Sequence, residues 1–445
     1  MTLWFETALL PGGWAQRVRV MLAGGRIVAV EKDVASRPGE TRHVVGLPGL
    51  PNLHSHAFQR AMAGLAESPG GAGRDDFWSW RETMYRLVGR LTPEDVATVA
   101  AKAFVEMLEA GFTRVGEFHY LHHDLDGRPY AEPARMAAAV AEASAEAGIA
   151  LTLLPVFYAH SGFGGAVPNA GQRRFINDLD GFARLREGCA AALKPLDGAV
   201  LGVAPHSLRA VTPDELSALL AMAPDAPIHI HVAEQVPEVE ACIAWSGKRP
   251  VQWLLDAVPV DQRWCLVHAT HVDAAELTGI AASGAVVGLC PVTEANLGDG
   301  LFPVGELLDG GGQFGVGSDS NVRIDAVEEL RLLEYGQRLT RRQRNVLARD
   351  GFSTGRTLFA RALAGGAQAL GAEPAELVAG APADIVALAG DGEGATGDAL
   401  LDRWIFAQGS IDAVWRAGRQ VVRDGRHVAH DAIAARYRDT LRRLA

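Results

Sequence analysis

Lysine is nearly missing from this chain. Only Lys32, Lys102, Lys194 and Lys248 are lysines among 42 Lys and Arg residues in 445 positions. The four cysteines (Cys189, Cys242, Cys265, Cys290) lie far apart and include no Cys-x-x-Cys pair. They read as buried thiols in a reducing cytoplasm rather than as a disulfide framework. No run of about 18 apolar residues occurs, so neither a transmembrane helix nor a membrane partner is expected. The start, Met1-Thr2-Leu3-Trp4-Phe5-Glu6, lacks a basic n-region and a cleavage pattern, so no signal peptide is expected and the location reads as cytoplasmic. A net charge of −11 disfavours nucleic acid as the main partner. The hydrophobic fraction of 48% allows a large core, and the length fits a barrel with an appended module.

The stretch that organises the chain runs from Leu47 to Arg60. A Pro/Gly turn leads into a short apolar run and then His54-Ser55-His56. Residues two apart in a strand share a face, so both imidazoles project together, as two ligands of one metal must. Residues 1–46 read as β, with a hairpin signal in Arg17–Leu22, Gly24-Gly25 and Arg26–Val30. Ala383–Leu388 and Val414–Val422 repeat the pattern near the other end. The two segments are expected to pair into one small β-sandwich module, which the chain leaves and rejoins.

Between them apolar runs alternate with Ala-rich helical windows at 92–110, 132–147, 175–194 and 213–221. The runs end at His54/His56, Tyr120, Tyr158, His206, Glu234, His271, Pro291 and Ser320. Thr92-Pro93-Glu94-Asp95 and Thr212-Pro213-Asp214-Glu215 are helix starts, with a cap, a first-turn proline and early acids. Eight strand–helix units predict a (β/α)8 TIM-type barrel over 47–375, flanked by 1–46 and by 376–445 with a terminal helix. Polar residues cluster at the C-terminal ends of the runs, where barrels build active sites.

His54-x-His56, His231-x-x-Glu234, His268 and Gly317-Ser318-Asp319-Ser320 together resemble the amidohydrolase superfamily, in its deaminase-like branch. The finer wording lies in Asn52–Gly64, Ala204–Val211 and His231-Val232-Ala233-Glu234-Gln235. It is similar to the subgroup that hydrolyses N-formimino-L-glutamate to N-formyl-L-glutamate and ammonia. The rival readings are another aminohydrolase of the branch, such as a guanine or other nucleobase deaminase, and a barrel that has lost its chemistry.

His54, His56, His231 and Asp319 make a set for one Zn²⁺ with a position left for water; Fe²⁺ fits the same donors. His229 shares a face with His231 and competes for the ligand role. The resemblance, and Glu234 three residues on, favour His231. Binuclear members of the superfamily use a bridging lysine at a strand end, and all four lysines lie elsewhere, so one ion per chain is expected. Asp319 can accept a proton from water, Glu234 suits a proton shuttle, and His268 either orients hydroxide or ligates the metal. His271 is expected to face away. Arg209, in the loop after strand four, invites a carboxylate by bidentate pairing. The resemblance implies that Gln59, Arg81, Tyr120, His206 and Arg209 hold a small anionic amino-acid-derived substrate. It also implies a homodimer. Residues 68–76, rich in glycine, read as a lid.

Overall fold

Two β segments from opposite ends of the sequence lie side by side in the computed structural model, which describes residues 1–67, 77–390 and 394–444. The first segment forms β1 (Thr2–Leu10), β2 (Gly13–Ala23), β3 (Arg26–Glu31) and β4 (Thr41–Pro48). The central strands are β5 (Leu50–Ser55), β6 (Phe112–His119), β7 (Ala150–Phe157), β8 (Val200–Leu201), β9 (Ala204–Pro205), β10 (Ile228–Val232), β11 (Trp264–His268), β12 (Val286–Leu289) and β13 (Gln313–Val316). The last segment adds β14 (Ile385–Leu388), β15 (Ile411–Arg416), β16 (Arg419–Arg423) and β17 (Arg426–His427), then a helix at His430–Leu444.

The terminal strands join in one eight-stranded sheet, in the order β17-β16-β15-β14-β4-β1-β2-β3. The seam between the two chain ends is the antiparallel pair β4–β14, with Leu47 opposite Val386 and Pro48 opposite Ile385. Leu3, Phe5, Val18 and Val20 from one end and Ile385, Ala413 and Trp415 from the other bury into one apolar cluster. This shared core is what makes the distant segments one unit.

Only Gly49 separates this sheet from β5. A Cβ at Gly49 would lie 2.3 Å from the Thr113 side chain, so no other residue lets the chain cross there without displacing its neighbour. Helices cover the central strands. The helix Pro93–Glu109 starts with a Thr92/Asp95 capping box and Pro213–Met222 with a Thr212/Glu215 box, the sites predicted from sequence.

The eight expected barrel strands form two parallel arcs, not one closed ladder. One arc is β5-β6-β7-β8 with β9 on β7, and the other is β10-β11-β12-β13. Isolated bridges span the gaps, Ser55–Asp319 on one side and Val203–Ile228 with Ser207–His231 on the other. The fourth run is split because Gly202 packs tightly: a Cβ there would meet Leu154 Cδ2 at 2.4 Å and Pro227 O at 2.9 Å. Pro205 and Pro227 flank that gap and have no N–H to give to a ladder. At the other gap the backbone leaves extended geometry where the ligands sit, with Asp319 at φ +46°. Among the described residues no helix is long and apolar enough to cross a membrane. The 68–76 stretch predicted as a lid lies outside the described residues.

Candidate active site

At the C-terminal ends of β5, β10 and β13 four donor atoms converge. His54 Nε2 lies 3.2 Å from His56 Nε2 and 3.1 Å from His231 Nε2. Asp319 Oδ1 lies 3.4 Å from His54 Nε2 and 3.3 Å from His56 Nε2. All four donor atoms lie within 4.8 Å of one another, close enough for one ion placed among them, with Zn–N and Zn–O bonds of about 2 Å, to be held by the group. The group is fully buried, which a cluster of facing lone pairs tolerates only around a cation. Burial lowers His54 to about 3 and also depresses His56 and His231, so all three imidazoles keep their lone pairs. Burial opposes the Asp319 carboxylate, but the facing His54, His56 and His268 outweigh it and hold it below the usual range.

Backbone carbonyls fix which nitrogen faces inward. His56 Nδ1 donates to Phe118 O at 2.8 Å and His231 Nδ1 to His206 O at 3.1 Å, leaving each Nε2 for the metal. Asp319 is held by a buried clasp between the ends of β5 and β13. Asn52 Nδ2 donates to Ser318 Oγ at 2.7 Å, and Ser318 N–H returns a bond to Asn52 Oδ1 at 3.0 Å. Asn321 Nδ2 then reaches Ser55 Oγ at 3.1 Å and Asp319 O at 3.0 Å. A Cβ at Gly317 would sit 2.7 Å from His54 O, so glycine is what lets the two strand ends approach.

His229 is not part of the group. It stands two residues earlier on β10, about 6.6 Å nearer the strand's start, and its Nε2 donates to Ala369 O at 2.7 Å. His268 also lies outside the four-donor set, beside it. Its Nε2 is 3.7 Å from Asp319 Oδ2 and 3.8 Å from Glu234 Oε1, and its Nδ1 is 3.2 Å from Glu294 Oε1. Burial works against a charged His268, but Glu234, Glu294 and Asp319 outweigh it and raise it to about 10. Burial lifts Glu234 to about 7, against the pull of His268. A carboxyl near neutrality beside an imidazolium can hold or release a proton at working pH.

A cavity opens over this cluster. Gln59, Arg81, Tyr120, His206 and Arg209, each singled out from sequence, all line it with His56, His231, Glu234, His268 and Asp319. Among the described residues neither Arg81 nor Arg209 makes an ion pair; the Arg81 guanidinium lies 4.3 Å above the Trp78 ring. Gln59 Nε2 donates to Tyr120 Oη at 2.8 Å. Among the described residues no lysine lines the cavity. Sequence reasoning missed Glu294, which reads as a first-turn acid of the helix Pro291–Leu297. It also missed Tyr158, which reads as the end of an apolar run, although that position, like Tyr120, closes a barrel strand.

Residues 45–421 match the amidohydrolase family, and residues 2–44 match the N-terminal domain described as formimidoylglutamate deiminase HutF. The chain is 53% identical to a formimidoylglutamate deiminase from Pseudomonas aeruginosa, over 99% of this chain and 98% of that protein. An amidohydrolase structure from Brucella melitensis superposes with a TM-score of 0.97 at 56% identity, covering 100% of this chain and 99% of the other. An adenosine deaminase from Xanthomonas campestris with bound zinc shares the fold, with a TM-score of 0.82 at 22% identity over 100% and 98% of the two chains.

Proposed function

The chain belongs to the amidohydrolase family, and from that premise we propose how its residues perform the reaction of its formimidoylglutamate deiminase relatives. It is a metal-dependent hydrolase of C–N bonds that deiminates formimidoylglutamate. The products are N-formyl-L-glutamate and ammonia in this reading. One ion per chain, Zn²⁺ or Fe²⁺, is held by His54, His56, His231 and Asp319. The support is the convergence of the four donors within 4.8 Å of one another and, among the described residues, the absence of lysine from the cavity lining. We read residues 47–375 as the catalytic barrel and residues 1–46 with 376–445 as one small β-sandwich module. The shared sheet and core support that division.

The observation that carries the reading is the polarity of the cavity. Metal donors form one wall, and Arg81 and Arg209 stand on the lining with no carboxylate paired to them among the described residues. Both guanidiniums are partly exposed at the cavity and neither is tied up in an ion pair among the described residues, so they invite a ligand that brings an anion. A nucleobase offers no carboxylate. A small linear amidine with carboxylates fits both walls.

A bound divalent ion would acidify and orient water at the four donors. Asp319 can take the first proton and Glu234 can carry it onward, because both carboxyls face the His268 ring within 4 Å. His268, steadied through Nδ1 by Glu294, is a donor aimed at charge developing on the incoming oxygen. Attack at the formimino carbon gives a tetrahedral centre bearing one oxygen and two nitrogens. With the glutamate end held by Arg209 and its neighbours, the terminal nitrogen faces Glu234 and receives its proton. That C–N bond breaks, ammonia leaves, and the remaining C–O becomes the formyl carbonyl. NMR of the reaction products tests this directly. N-formyl-L-glutamate is expected; formamide with free glutamate means that the other C–N bond breaks and Glu234 serves the wrong nitrogen.

Arg209→Met tests the anion wall. Charged hydrogen bonds contribute roughly 1.5–3 kcal/mol each, so losing a bidentate pair costs several kcal/mol of transition-state stabilisation. Metal content is expected to be unchanged. A normal kcat/KM removes Arg209 from the site.

A further inference from the structure

Tyr158 follows β7 and lines the cavity. Its ring packs edge-on against His206, with centroids 4.6 Å apart. The phenol is tied to a second buried residue, Gln172, whose Nε2 donates to Tyr158 Oη at 2.7 Å. An amide can face either way, but here a neighbour decides. Asn169 N–H donates to Gln172 Oε1 at 2.9 Å, as half of a capping box on the turn Ala170–Gln172. Oε1 is therefore the acceptor, and Nε2 must be the atom on Tyr158.

That settles the direction of the next bond. Tyr158 Oη already accepts from Gln172, so its own proton has to be given elsewhere. Among the described residues no acceptor takes it. The charged groups facing the phenol are Arg81 and Arg209, which have no acceptor to offer. The remaining direction is the cavity. Tyr120 differs: Gln59 donates to it, yet Gln59 Oε1 is unpartnered, so nothing fixes that amide's orientation.

We propose that Tyr158 is a specificity-determining residue whose hydroxyl donates to a substrate carboxylate beside Arg81 and Arg209, and that Gln172 is the positioning residue that makes the phenol a donor. The inference rests on the carboxylate-bearing substrate proposed above. It adds a neutral donor to the anion wall, and with it a distance and direction that two flexible guanidiniums do not set alone. A ligand lacking a carboxylate leaves three donors unsatisfied instead of two, which sharpens rejection.

The experiment compares Tyr158→Phe, Gln172→Glu, Gln172→Leu and Arg209→Met on formimidoylglutamate, with metal content and melting temperature for each. Tyr158→Phe is expected to lower kcat/KM by about ten- to a hundred-fold, the range for one hydrogen bond to a charged group, with metal retained. Gln172→Glu is the diagnostic change. A carboxylate there can accept from Asn169 with one oxygen and take the phenol proton with the other. The turn survives while Tyr158 presents a lone pair to the substrate anion. Gln172→Glu is therefore expected to cost at least as much as Tyr158→Phe, and more than Gln172→Leu. A glutamine with a merely structural role gives the opposite order, since leucine disrupts the capping box and glutamate preserves it. The inference is overturned if Tyr158→Phe stays within two-fold of the parent enzyme or if Gln172→Leu is as harmful as Gln172→Glu. A costly Arg209→Met beside a silent Tyr158→Phe removes only this inference. If Arg209→Met is silent as well, the carboxylate reading of the whole wall falls with it.

Discussion

Glu234→Gln is expected to leave metal content and fold in place and to lower kcat by about 10²–10⁴-fold, the range for a lost general acid–base. The side chain is nearly isosteric and Glu234 is no member of the four-donor group, so the ion has no reason to leave. The helix that follows keeps its start, because Glu234 takes part through its backbone N–H, which donates to Glu238 Oε2 at 3.1 Å. What disappears is the proton relay. An amide neither accepts the proton from water nor passes one to a leaving nitrogen. The carboxyl is suited to both tasks, since burial has lifted it to about 7. Steady-state kinetics, elemental analysis and a thermal melt on the same preparation decide the matter. A kcat within ten-fold of the parent enzyme, at equal metal content, assigns the relay to another group.

His56→Ala is expected to abolish both metal binding and turnover. The residue supplies one of four donors, placed 3.2 Å from His54 Nε2 and 3.3 Å from Asp319 Oδ1. Its loss leaves three donors and also strips Phe118 O of its partner, which sits beside the cluster. The parent enzyme is expected to carry about one tightly held divalent ion, to lose activity on chelation and to regain it with Zn²⁺ or Fe²⁺. Because the folded chain alone presents the assembled donors, the ion also stabilises the fold. The melting temperature of the parent should therefore drop on chelation, and that of His56→Ala should not respond. Two ions per chain by elemental analysis would overturn the mononuclear assignment.

The metal group was legible because its parts obey simple periodicities. His54 and His56 share a strand face, and His231 and Asp319 stand at strand ends. The same rule could not separate His229 from His231. Period two places both on one face, and only depth along the barrel, which a sequence does not carry, sends His229 to Ala369 O. Glu294 was invisible for a related reason: early acids are ordinary in a first helical turn, and its contact with His268 is made across two strands. Tyr158 stood only as the end of an apolar run, and Gln172 lies in a loop that no pattern connects to β7. The pairing of the chain ends could be read from composition and repetition. The split of the fourth strand could not, because it follows from the close approach of Gly202 to Leu154 and Pro227. The five cavity residues read through family resemblance all reach the cavity, although their individual work there awaits the variants described above.

The seam between β4 and β14 has a consequence for the order of assembly. β4 runs through Gly49 straight into β5, which carries His54 and leads to His56, so this stretch leaves the ribosome long before β14. The partner of β4, Ile385–Leu388, follows only after all the barrel strands. Until then β4 presents a bare edge to whatever else is nearby. Pairing over so long a separation in sequence is slow compared with local helix formation. Newly made chains stopped short of β14 should therefore be the sticky ones, dependent on chaperones. The final hydrogen bonds of the terminal sheet, among them Gly49 N–H to Asp384 O at 3.0 Å, would then pin the root of the metal-bearing strand only after synthesis has passed the whole barrel.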